Sequence, residues 1–210
     1  TAISYPASPA NNISYDYDDT SAGNFGVGRL TGIADELGFT FYKYDHRGNV
    51  VEKTADMLSH TFKWQYAYDL NDQLRSLRYP NGAIVRYERD AEGRVAGVYH
   101  RSWEGAQESL VANTFQYLPF GPLQGFSYGN GVNASFAFDQ DYQISHLDIA
   151  GTSGKLDLSY VYDATGNIVA INNALDSAKD QSFSYDALSR LNTAAGLYGS
   201  QSYQYDGVGN

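Results

Sequence analysis

Tyr160-Val161-Tyr162-Asp163-Ala164-Thr165-Gly166-Asn167-Ile168 has near-copies at Tyr42-Lys43-Tyr44-Asp45-His46-Arg47-Gly48-Asn49-Val50 and at Tyr203-Gln204-Tyr205-Asp206-Gly207-Val208-Gly209-Asn210. The shared pattern is aromatic-x-aromatic-Asp-x-x-Gly-polar, followed by an aliphatic residue in the first two. A theme that recurs along the chain marks a repeat array, not an enzyme with one pocket. Looser copies keep the aromatic pair and vary the turn: Trp64, Tyr66, Tyr68 and Asp69; Tyr87, Arg89, Asp90, Gly93 and Arg94; Phe136, Phe138 and Asp139; Phe183, Tyr185, Asp186 and Arg190. A further copy, Phe115-Gln116-Tyr117-Leu118-Pro119-Phe120-Gly121, has Leu118 where aspartate stands elsewhere. Steps between copies vary from 20 to 28 residues, as expected when insertions fall in loops.

Each unit reads as a hairpin. Aspartate at the first turn position accepts backbone hydrogen bonds, and glycine at the fourth supplies a positive φ. The structural turn residues are therefore Asp45 and Gly48, Asp90 and Gly93, Asp163 and Gly166, and Asp206 and Gly209. Copies lacking the glycine, with Asp72, Tyr142 or Ser189 in its place, are expected to use a different loop. Phe62, Trp64, Tyr66 and Tyr68 alternate, which puts them on one face of a strand. Aliphatic strands such as Asn167 to Ile171 follow the turns. Asn81-Gly82 and Asn130-Gly131 predict two-residue type I′ hairpins in the return connections.

These signals give an all-β, antiparallel meander of repeated hairpins. Asp56 to Ser59, Glu104 to Leu110 and Leu175 to Lys179 have room for a short helical turn at most. Residues 1–14 read as a lead-in and 15–210 as the array, which stops inside its last repeat; the chain is expected to be a piece of a longer polypeptide. With a net charge of −10 and scattered basic residues, it lacks the clustered Lys and Arg that nucleic acid or an anionic membrane requires. The absence of cysteine excludes disulfides and cysteine metal sites. No apolar run reaches the length of a membrane-spanning helix.

The repeated Tyr-x-Tyr-Asp-x-x-Gly resembles the YD-repeat family, also called Rhs repeats, from about Tyr15 to the end. Two longer phrases carry the same resemblance. Gly26-Val27-Gly28-Arg29-Leu30-Thr31 leads to Tyr44-Asp45-His46-Arg47-Gly48-Asn49, and Tyr117-Leu118-Pro119-Phe120-Gly121 leads to Tyr128-Gly129-Asn130-Gly131. The second is similar to bacterial Rhs, wall-associated and insecticidal-toxin proteins more than to animal teneurins. The resemblance implies a curved, spiralling sheet that forms part of a hollow shell, within a secreted or cell-surface bacterial protein. It implies that the partners are the remainder of that shell and an enclosed C-terminal toxin domain. Nothing matches the family's core region, so no protease residues are carried over.

Chemistry weighs less than scaffold. Trp64 and Trp103 are the candidates for stacking on a sugar, and a carbohydrate-binding or adhesive module is the alternative function. Aromatics repeating in register are expected instead to stack as cross-strand ladders. The acid runs Tyr15 to Asp19 and Asp139 to Asp141 lack a calcium-loop pattern, and His46, His60, His100 and His146 lack zinc spacing. Neither a serine elbow nor a third glycine after Gly26-Val27-Gly28 is present. No catalytic residue, metal ligand or cofactor is assigned. The strand around Ser202 to Asp206, with Tyr203 and Tyr205 on one face, is expected to be an edge open to self-association.

Overall fold

The structure is a computed structural model that describes residues 2–119, 121–151 and 156–209. Among the described residues 18 strands form one antiparallel sheet, each pairing with the next in sequence. The only helical turns among the described residues are 3-10 segments at Pro9–Asn11, Ser21–Gly23 and Ser177–Lys179. Phe120 and Asn210, which belong to two of the quoted copies, lie outside the described residues.

The described chain forms two compact units, 1–111 and 112–210. In the first, strand β1 is Ala2–Ile3, β2 Ile13–Tyr17, β3 Leu30–Asp35, β4 Gly38–Tyr44, β5 Val50–Met57, β6 His60–Tyr68, β7 Leu74–Arg78, β8 Ile84–Arg89 and β9 Val95–Arg101. β1 pairs with β2 through Ala2 with Ser14 and Ile3 with Ile13. β10 (Ser109–Tyr117) begins there and continues into the second unit. β11 (Leu123–Tyr128), β12 (Asn133–Phe138), β13 (Ile144–Ala150), β14 (Leu156–Tyr162), β15 (Ile168–Asn173), β16 (Gln181–Tyr185), β17 (Leu191–Gly196) and β18 (Gly199–Ser202) follow. The last strand thus ends where the expected edge strand was to begin, although Tyr203 N still donates to Asn192 O.

A meander sends alternate connections to opposite edges. In each unit the Asp turns occupy one edge, and the Asn-Gly turns with the remaining connections occupy the other. At the second edge, Asp35 pairs with Gly38 and Met57 with His60 across two-residue loops.

No large side chain is fully buried among the described residues; the most buried apolar residues are alanines. Their placement explains how a single layer packs. Ala55 lies directly opposite Phe62, Ala112 opposite Tyr128, Ala134 opposite Phe126 and Ala194 opposite Phe183. A ring on one strand covers a methyl on its neighbour, so the aromatic strand and the small or aliphatic strand interlock.

This corrects the ladder expectation. Phe115 stacks across strands on Phe126, with centroids 5.2 Å apart. Phe39 and Phe41, His60 and Phe62, and Phe62 and Trp64 instead neighbour each other along one strand. Aromatic strands occur once per hairpin, so successive ones are separated by an aliphatic strand and lie about 9–10 Å apart, too far for ring stacking.

Candidate functional site

The Asp-turn edge is where the repeated residues converge. In the Asp45 turn, Asp45 N donates to Asn49 O and Gly48 N to Asp45 O, at 3.0 and 3.1 Å. The Asp45 carboxylate Oδ1 accepts from the backbone N of Arg47 and Asn49, both at 2.9 Å. The register slips by one residue between Lys43 and Tyr44. This is a type I turn closed by a left-handed residue in a bulge, a three-residue hairpin loop. Gly48, Gly93, Gly166 and Gly209 have φ of 93°, 81°, 84° and 90°.

The copies without glycine form the same loop, contrary to the reading that they would not. Asp72, Tyr142 and Ser189 have φ of 61°, 61° and 57°, and Asp69, Asp139 and Asp186 accept the same pairs of backbone donors. The Asn-Gly segments are corrected too. Tyr79 N donates to Ala83 O and Gly82 N to Tyr79 O, and the set repeats from Tyr128 to Val132. Pro80 has no N–H with which to close a two-residue loop around Asn81-Gly82. Consecutive positive φ at the centre of a two-residue loop, the mark of a type I′ turn, is found at Leu58-Ser59 instead, at 50° and 66°.

Two contacts join one hairpin to the next. The aromatic immediately before the turn aspartate donates its hydroxyl to the first strand residue of the preceding hairpin's return. Tyr44 bonds Leu30 O at 2.6 Å, Tyr68 bonds Val50 O, Tyr162 bonds Ile144 O, Tyr185 bonds Ile168 O and Tyr205 bonds Leu191 O. Where Arg89 replaces tyrosine, its guanidinium donates to Leu74 O. This role was missed in the sequence, although the choice of tyrosine over phenylalanine before most of the aspartates signals it.

The second contact is turn on turn. The residue that follows the left-handed position reaches toward the next turn on the same edge. Gln73 lies under Gly93, Gln143 under Gly166 and Arg190 under Gly209, while Arg29 lies under Gly48; a Cβ on the first two glycines would sit 3.0 and 2.8 Å from the glutamine amide nitrogens. Where that residue is the shorter Asn49, the next turn carries Asp72, which accepts from Asn49 Nδ2 at 2.7 Å and from Arg47 Nε at 2.9 Å. Asn167 likewise precedes Ser189 and donates to its hydroxyl at 3.2 Å. Pro122 precedes Tyr142, whose ring borders Gly121. A long side chain thus faces glycine, and a short one faces a side chain.

The Asp45, Asp69, Asp90, Asp163 and Asp186 carboxylates are held as anions. Asp163 lies at about 2, lowered first by the Thr165 hydroxyl and then by the Asn167 side-chain amide and backbone. The Gln73 backbone lowers Asp69, and the Arg190 backbone lowers Asp186. At Asp45 desolvation pulls upward, but the Asn49, Arg47 and Gly48 hydrogen bonds outweigh it. Desolvation raises the Tyr44, Tyr68 and Tyr162 hydroxyls, keeping them protonated as donors.

The first Asp turn is expanded into residues 18–29. Asn24 inside it is buried; its Oδ1 accepts from Tyr44 N at 2.8 Å and its Nδ2 donates to Tyr42 O at 3.1 Å. The side-chain amide pairs with the end of β4 that β3 leaves uncovered, since their register runs no further than Gly32 with Phe41. Asp19 accepts from Ser21 and Asn24, so the acid run there caps its own loop.

The structure does not bring Trp64 and Trp103 together. Trp64 lies in β6 with Lys53 Nζ 5.3 Å from its ring centroid; Trp103 is 60% exposed in the loop after β9, against Gly105. The histidines are dispersed: His46 meets Phe25, His60 meets Leu58 O, and His146 meets Asp157. Among the described residues no group of three or more His, Asp or Glu is placed to hold a metal ion, and no helix is long and apolar enough to cross a membrane.

The RHS Repeat family model matches residues 68–102, which include the Asp69 and Asp90 turns and the Arg89 clamp. That segment is similar to an Rhs repeat, and its turn pattern recurs along the chain. Toxin subunits YenC1 and YenC2 of Yersinia entomophaga are 27% and 25% identical to it over 124 and 122 residues. Each alignment covers 49% of this chain and 12% or 13% of the relative. The fold matches a crystal structure of TcdB2-TccC3 without its hypervariable C-terminal region, with a TM-score of 0.79 and 17% identity over 98% of this chain and 12% of that one. It also matches the Photorhabdus luminescens Tc holotoxin pore, with a TM-score of 0.77 and 17% identity over 88% of this chain and 10% of that one. The chain therefore spans about an eighth of the length of the curated relatives it matches.

Proposed function

We propose that this chain is a non-catalytic wall segment of a β-shell that encloses a C-terminal toxin domain in an exported bacterial Rhs-type toxin. The observation that carries the reading is the hairpin-to-hairpin linkage. Each tyrosine hydroxyl reaches the hairpin before it, and each turn is fitted to its predecessor, so the sheet extends by adding like units. Such a sheet buries little within itself, which suits a wall with an inner and an outer face. The turn aspartates are engaged by backbone donors and the repeat explains them without a reaction. Likeness to toxin subunits favours an exported toxin complex over an unrelated scaffold.

Cryo-electron microscopy of the full-length polypeptide that contains this chain tests the proposal. A hollow particle with this sheet in its wall and additional protein density enclosed is expected. A particle in which the sheet packs against a solid core, or an empty one that retains the complete polypeptide, would overturn it.

A further inference from the structure

One arginine stands where the repeat asks for none. In each repeat hairpin the register slips by one residue soon after the turn, which leaves an extra residue on the return strand. Between β6 and β7, Tyr68 pairs with Leu74 and Ala67 with Ser76, so the extra residue is Arg75. At the other seven such slips among the described residues it is uncharged, as at Val51, Ala96, Ser145 and Val169. Consecutive strand residues point to opposite faces, but a bulge re-aims a side chain. Arg75 and its neighbour Ser76 accordingly line one open hollow of about 280 Å³, together with Arg86 and Arg101 from the next two strands.

The three guanidiniums differ in the donors they have left. Arg86 uses all its nitrogens: Nε and Nη2 donate to Glu108 at 3.0 and 2.6 Å, and Nη1 donates to Glu88 at 2.9 Å. Arg101 uses only Nε, toward Glu108 at 3.2 Å, and its two terminal nitrogens have no partner among the described residues. Arg75 is exposed and without hydrogen bond or ion pair among those residues, and the Ser76 hydroxyl is without a hydrogen bond. Glu104, the other carboxylate lining the hollow, accepts from Arg78 at 2.8 Å. With these partners included, Arg75, Arg78, Arg86 and Arg101 face Glu88, Glu104 and Glu108. One positive charge is left unmatched, in a chain of net charge −10. A planar guanidinium presents paired donors that fit a carboxylate, and a single unmatched charge suits a monoanion better than a dianion such as phosphate.

We infer that Arg75, Ser76 and Arg101 form a binding site for a carboxylate, with both guanidiniums donating to its oxygens and the Ser76 hydroxyl as a further donor. Arg75 is the residue that makes the site, because the other hairpins keep the same register slip without a charge. The inference stands apart from the shell proposal, since every group in it belongs to hairpins of the first unit.

The test is an NMR titration of the arginine Nε–Hε signals at low ionic strength, where exposed charges are screened least. The probes are an acetylated, amidated Gly-Glu-Gly peptide, the same peptide with glutamine for glutamate, and acetate. Saturable shifts of the Arg75 and Arg101 signals with the glutamate peptide are expected, half complete at about 10 mM or below. Arg75→Val installs the residue that Val51 and Val169 supply at the equivalent slips, so the hairpin keeps its fold. The Arg101 signal of that variant should need about tenfold more peptide. Tighter binding of the peptide than of acetate would support the site with an acidic side chain of a partner protein as its ligand; equal binding would support it with a small carboxylate. Absence of saturable shifts, equal shifts with the glutamine peptide, an undiminished Arg101 response in Arg75→Val, or matching shifts with sodium chloride, which would mean an adventitious ion only, would each overturn the inference.

Discussion

The Gly48 and Asp72 turns stand side by side on one edge, share their backbone hydrogen bonds and both place their fourth residue at positive φ, yet one uses glycine and the other aspartate. What separates them is the turn before. The Arg29 guanidinium lies against Gly48, where a Cβ would have to displace it, whereas Asn49 stops short and hydrogen-bonds Asp72. The second unit repeats the contrast between Gly166, which faces Gln143, and Ser189, which faces Asn167. The residue at a left-handed position is thus selected by its neighbour as well as by its dihedral angle. Strain of about 1–2 kcal/mol at a non-glycine residue is offset by contacts that glycine cannot make.

The largest way to break both kinds of turn together is acid. Asp45, Asp69, Asp90, Asp163 and Asp186 all titrate below 3.8 when folded. Their contribution is complete above the unfolded value near pH 4 and is lost as pH falls through the folded values, which for Asp163 is about 2. Denaturation midpoints should therefore be level above pH 5 and drop between pH 4 and 2. A flat profile through that window would show that the carboxylates do not hold the turns.

Next comes the opposite edge, where a glycine is required by backbone contact and no neighbouring side chain can yield. Gly38 has φ of 144°, and a Cβ there would run into Asp56 O of the paired strand. Gly38→Ala should cost about 3 kcal/mol or more in urea unfolding, because conformational strain and overpacking add. By comparison, Tyr68→Phe removes only the hydroxyl that satisfies Val50 O and should cost about 1 kcal/mol. The smallest effect is expected where strain and contact offset each other. Ser189→Gly relieves the left-handed strain but loses one 3.2 Å hydrogen bond, so stability should change by less than about 0.5 kcal/mol.

Much of this edge was legible in the sequence. Asp45 with Gly48, and Asp163 with Gly166, announce a turn because both requirements are local: a carboxylate that accepts from the backbone two and four residues on, and a residue free to take positive φ. Asp72 and Ser189 were read as a different loop because the determinant lies about two dozen residues earlier, in Asn49 and Asn167. The Asn-Gly turns misled for a local reason at Asn81, where Pro80 removes the closing donor. Leu58-Ser59 misled for a non-local one: β5 and β6 pair continuously from Glu52 with Gln65 to Met57 with His60, and that register imposes a two-residue turn without glycine or asparagine.

The central claim, that each left-handed residue is matched to the turn before it, is tested most directly by a double-mutant cycle on Gln73 and Gly93. Gly93→Asn alone places a side chain against the Gln73 amide and should destabilise by about 1–2 kcal/mol. Combined with Gln73→Asn, which reproduces the short residue found before Asp72 and Ser189, it should destabilise less than the sum of the single changes by about 0.5–1 kcal/mol. Urea unfolding of the four proteins gives the coupling energy. A favourable coupling of that size is the predicted result, and simple additivity would contradict the claim.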